Sequence, residues 1–69
     1  MSDVVADIGR LMIRLSALCH DYEVTHKIGG VFKVAVQVTP QQHKYKEFQS
    51  RSLYAALVLA HEYVENFNE

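Results

Sequence analysis

A chain of 69 residues with one cysteine, one proline and three glycines has few of the devices that hold small proteins together. Cys19 alone cannot close an internal disulfide, and a cysteine-rich zinc site is excluded with it. His20, His26, His43 and His61 show no His-x3-His spacing, so no metal site and no cofactor are assigned. No run approaches the roughly 18 apolar residues that a membrane-spanning helix needs. The start "MSDVVAD" is acidic where an export signal would be basic, so the expectation is a cytoplasmic protein without a membrane partner. Internal repeats, linkers and low-complexity tracts are also missing, and residues 1–69 read as a single domain. Such a domain buries only about 60% of the surface its unfolded chain exposes. With neither disulfide nor metal to reinforce a thin core, self-association is the natural supplement.

The net charge of -1 gives no global pull toward nucleic acid, but the charge is unevenly distributed. Residues 1–23 sum to -2, residues 24–52 to +4 and residues 53–69 to -3. The middle is basic and both ends are acidic.

Val4, Ile8, Leu11, Leu15, Leu18 and Tyr22 recur at steps of four and three, which keeps side chains on one face of a helix. Val5, Met12 and Cys19 widen that stripe, and Asp3, Asp7, Arg10, Arg14 and Asp21 form a separate charged face. Between them runs a strip of Ala6, Gly9, Ile13, Ser16 and His20. Glycine inside a helix costs about 1 kcal/mol relative to alanine. Close approach of another backbone, from this chain or a second copy, would be a physical reason to keep Gly9 there.

From Glu23 the period changes to two, with Val24, His26 and Ile28 alternating against Glu23, Thr25 and Lys27. After the glycines, Phe32, Val34, Val36 and Val38 point one way and Lys33 and Gln37 the other, the pattern of a strand with one face on a core. A two-residue Gly29-Gly30 loop would put Lys27 and Thr25 on the face of Phe32 and Val34. A three-residue loop, Ile28-Gly29-Gly30 with Gly30 in the left-handed region, instead pairs His26 with Phe32, Val24 with Val34 and Tyr22 with Val36, and the apolar faces agree. The glycines therefore read as a turn; a phosphate cradle would need a helix to follow them, and a strand follows instead. Pro40 is expected to end that strand, with "PQQH" as a turn. "KYKEFQ" reads as a third, edge strand whose alternation is imperfect, because Tyr45 and Phe48 fall on opposite faces unless a bulge intervenes.

Ser50 or Ser52 can cap a final helix with the core face Leu53, Ala56, Leu57, Ala60, Tyr63, Val64 and Phe67. Its other side carries Tyr54, Val58 and Leu59 beside His61, Glu62 and Glu65, less polar than an ordinary surface. The expected fold is a small two-layer α+β domain: helix, two- or three-stranded antiparallel sheet, helix, with both helices on one sheet face. That order of elements resembles a double-stranded-RNA-binding domain. The resemblance covers layout alone: the family's lysine-rich start to the last helix corresponds here to "SRSLYAA", which offers only Arg51, and no RNA-contacting residue carries over.

Catalysis needs a nucleophile or an acid/base group with an orienting partner. Cys19 and His20 are adjacent, and adjacent helix residues do not face each other. Cys19 on an apolar stripe reads as a small buried hydrophobe, and Glu62 with Glu65 as a charged face. No catalytic residue is assigned, and the expectation is not an enzyme. The surplus apolar surface on both helices, Ala6, Gly9, Ile13 and Ser16 with Tyr54, Val58 and Leu59, points to a protein-binding module. It would be a homodimer that regulates or inhibits a protein partner, in the manner of small accessory proteins of phages and mobile elements. The competing reading of those patches is that the two helices pack on each other and use them up. The alternative function is nucleic-acid binding by a basic sheet face of Lys27, Lys33, Lys44 and Lys46 with Arg51, joined by Tyr45 or Phe48; a solvated outer face accounts for the same lysines.

Overall fold

The computed structural model describes residues 3–67, which form helix α1 (Asp3–Leu18), strands β1 (Asp21–Lys27), β2 (Val31–Gln37) and β3 (Lys46–Ser50), and helix α2 (Leu53–Phe67). The strands make one antiparallel sheet in the order β1-β2-β3. Both helices cover the face that carries Val34 and Val36. α2 spans β2 and β3, while α1 lies beside α2 and meets the sheet over β1. The Cα envelope is 38 × 25 × 15 Å, and its thinnest dimension leaves room for one helix on one sheet, as a two-layer domain requires.

The register is the one the hydrophobic period dictates. His26 pairs with Phe32, Val24 with Val34 and Tyr22 with Val36, around a loop of Ile28, Gly29 and Gly30. The Gly30 amide donates to the Lys27 carbonyl (3.2 Å), and both glycines have positive φ, +98° and +81°. Sequence reasoning required this only of Gly30. The Lys27–Gly30 turn also places Gly29 third, where a type II turn demands the same conformation.

The other end of β2 stops earlier than Pro40 would enforce. The ladder ends at Gln37, and the Val38 amide donates instead to Gln42 Oε1 at 2.8 Å. Gln37 Nε2 donates to the Gln42 carbonyl (2.9 Å) and Gln42 Nε2 to that of Lys44 (2.9 Å), so two glutamine side chains satisfy three backbone groups of the β2–β3 loop. The His20 amide, donating to the Gln37 and Val38 carbonyls at 2.8 and 3.1 Å, ties the α1–β1 turn to the same place.

β3 is an edge strand and needs no bulge: Phe32 to Val36 pair in unbroken register with Ser50 to Lys46. Phe48 turns to the helices, where its ring lies 5.7 Å from that of Tyr63. Tyr45 precedes the strand and donates its hydroxyl to Asp21 Oδ2 at 2.5 Å. The two aromatics thus diverge.

The core is Leu15, Val34, Val36, Val38, Ala56, Leu57, Ala60 and Val64. Ala35 is buried as well, although it faces away from the helices. It pairs with Glu23 on one side and Glu47 on the other, and a methyl group between two long side chains keeps little surface. α2 is capped as its sequence suggests: Ser52 Oγ accepts from the Ala55 amide (3.2 Å), and Ser50 Oγ from the Ser52 amide (3.1 Å).

Candidate functional site

On α1, the residues that were expected to face a partner are largely in solvent. Ile13 is 71% exposed, Ala6 and Ser16 are exposed, and Gly9 is half-buried; Val5, expected to widen the core stripe, is also 71% exposed. Close backbone approach does not account for Gly9 within the protomer, because nothing lies within 4 Å of where a Cβ would stand. α2 lies along the other flank of α1, where its first turn meets the charged face. Asp7, Arg10, Leu11, Ile13, Arg14 and Tyr54 line an open groove of about 470 Å³ there.

The helices therefore pack on each other without using up the apolar surplus. Tyr54 stays 40% and Leu59 44% exposed, and Val58 is half-buried. At the rim, Arg10 Nη1 is 3.0 Å from Asp7 Oδ1, an exposed pair of little energetic weight. Arg14 is exposed and has no ion-pair partner among the described residues. Among the described residues the groove lining combines Leu11, Ile13 and Tyr54 with two arginines and one carboxylate, so it suits apolar and acidic side chains.

The basic middle segment does not gather on one face. Lys33, opposite Thr25 and Gln49, and Lys27, on the same side of β1, belong to the outer sheet face, where Lys33 Nζ is 3.7 Å from Glu47 Oε2. Asp21 and Glu23 share that face, so it is mixed in sign. Lys46 pairs with Val36 and so takes the helix side, its Nζ 5.9 Å from the centre of the Phe48 ring. Lys44 lies in the β2–β3 loop and Arg51 in the turn before α2.

The histidines are also dispersed, and among the described residues no three metal-ligating side chains come together. His26 was expected to be half-buried on the inner face. It stacks on Phe32 at 4.3 Å, 9° from parallel, but is exposed, because burial along β1 fades toward the hairpin. His61 was expected on the side of α2 away from the core face, with Tyr54, Val58 and Leu59, and is instead only 8% exposed. Its Nδ1 is 3.4 Å from Glu65 Oε1, and its buried Nε2 has no hydrogen-bond partner among the described residues. His61 follows Leu57 by one turn and precedes Val64 by three residues, so the apolar stripe could have been drawn wide enough to include it.

Cys19 is half-buried and donates to the Leu15 carbonyl at 2.9 Å. Burial pushes its thiol pKa up, and the Asp21 carboxylate adds to the shift. Both effects keep it protonated, the opposite of an activated nucleophile.

No protein-family model, curated protein or solved structure matches the chain.

Proposed function

We propose that this chain is a small, non-enzymatic protein-binding module that works as a homodimer and regulates or inhibits a partner protein. The observation that supports this reading is Ile13. It is a large aliphatic side chain in the middle of α1, 71% exposed, in the lining of an open groove that also holds Leu11 and the exposed Tyr54. Single exposed hydrophobics are ordinary, but here Val5, Ile13, Tyr54 and Leu59 are all exposed on the two helices of a very small domain. A thin core without disulfide or metal gains most from covering such surface with protein.

Size-exclusion chromatography with light scattering tests it. The expected mass is that of two chains at micromolar concentration, and Ile13→Asp is expected to give a folded monomer. A wild-type monomer at high micromolar concentration would count decisively against the homodimer.

A further inference from the structure

The helical layer carries arginines on α1 and carboxylates on the second half of α2. Among the described residues the α1–α2 groove is rimmed by Arg10, Arg14 and Asp7; Arg10 is paired with Asp7, which leaves Arg14 as the cation to be matched. Tyr54 forms its α2 wall. The same face of α2 continues through Val58, four residues on, to Glu62 and Glu65, eight and eleven residues on. Glu62 and Glu65 are exposed, and Glu62 has no ion-pair partner among the described residues, as Arg14 has none. Arg14 and the acidic half of α2 complement each other in charge, and among the described residues no ion pair joins them; Arg10 is paired with Asp7, and Glu65 lies beside His61.

We propose that the occupant of the groove is a second copy of this chain, placed so that the acidic half of α2 of each protomer docks on the Arg10 and Arg14 rim of the other. A two-fold axis makes the contact twice with the same residues, because the patch contains both partners of the pair. Ile13 and Tyr54, which line the groove, then supply apolar contact beside the charges. The charges fix which end of one helical layer meets which end of the other. Exposed ion pairs contribute modestly to affinity, so their role is register and orientation. This arrangement rests on the homodimer proposed above and adds its geometry.

Charge exchange tests it. Arg14→Glu and Glu62→Arg are made singly and together, the fold of each is checked by circular dichroism, and dimer dissociation is followed by sedimentation. Each single reversal is expected to raise the dissociation constant by about tenfold or more, and the double reversal to return it to within about threefold of the wild type. A double variant no better than the single ones overturns the arrangement. If Ile13→Asp separates the dimer while neither charge reversal weakens it, the homodimer stands and this geometry falls. A wild-type monomer removes both.

Discussion

The two helices lie on the same sheet face, yet they are held very differently. α2 buries Ala56, Leu57, Ala60, His61 and Val64, spans β2 and β3, and starts from a double serine cap. Among the described side chains of α1, Leu15 alone is fully buried, with Ile8, Leu11 and Met12 half-covered around it. α2 is the element that closes the core. α1 is attached by one row of side chains and keeps a flank of Val5, Ile13 and Ala6 in water. A small domain has too little core for two full helices, so one helix holds the sheet together and the other is left with surface to spare.

Four changes would break or sharpen that contrast. Leu57→Ala removes a fully buried side chain from the centre of the core and is expected to cost about 3 kcal/mol in urea unfolding. Ile13→Ala on α1 is expected to cost less than about 0.5 kcal/mol in the protomer, because its side chain is already in solvent. Comparable losses at the two positions would mean that the helices are not unequal. Ser52→Ala takes the acceptor from the Ala55 amide and should destabilise by about 1 kcal/mol, read as a lower thermal midpoint with the helical signal otherwise retained. Gly9→Ala acts in the opposite direction. Open space around the position lets a methyl enter without a clash, and the protomer should gain about 0.5 to 1 kcal/mol from helix propensity. Loss of stability there would show that Gly9 is pressed against something, as a second chain would do.

The smallest effect lies on the sheet, away from both helices. The hydrogen bond to Asp21 pushes the Tyr45 phenol pKa above its ordinary value, with slight desolvation and the charges of Asp21 and Glu23 adding to the shift. A group whose pKa is raised by folding contributes stability below its unfolded pKa and loses that contribution as pH rises through the folded one. Wild type should therefore lose stability above about pH 10, the ordinary tyrosine value. Tyr45→Phe should lack that alkaline component, and an identical alkaline limb in both proteins would show that the bond is not formed in solution.

Much of this architecture was legible because the two periods in the sequence are clean. The β1–β2 register followed from a single parity argument: an even loop would have put Lys27 and Thr25 beside Phe32 and Val34. What escaped was local chemistry that periodicity does not encode. Gln42 taking over the Val38 amide is a side-chain solution invisible in a hydropathy pattern. His61 was assigned by its polarity, whereas its angular place beside Leu57 and Val64 decides its burial. The lysines were grouped because they are close in sequence, but Lys46 and Lys33 stand at positions of opposite parity in the sheet and part to its two faces. The spare helix surface was legible as composition; that α2 would lie along the charged flank of α1 and leave Ile13 free was not.

The hairpin glycines have a further consequence. Gly29 and Gly30 both hold positive φ, so two consecutive residues of this chain occupy backbone space of mirror-image hand. Open space surrounds both, which means that the obstacle to a side chain there is stereochemical and not steric crowding by neighbours. A D-residue would meet neither obstacle. At this one corner, the β1–β2 hairpin turns on two achiral residues.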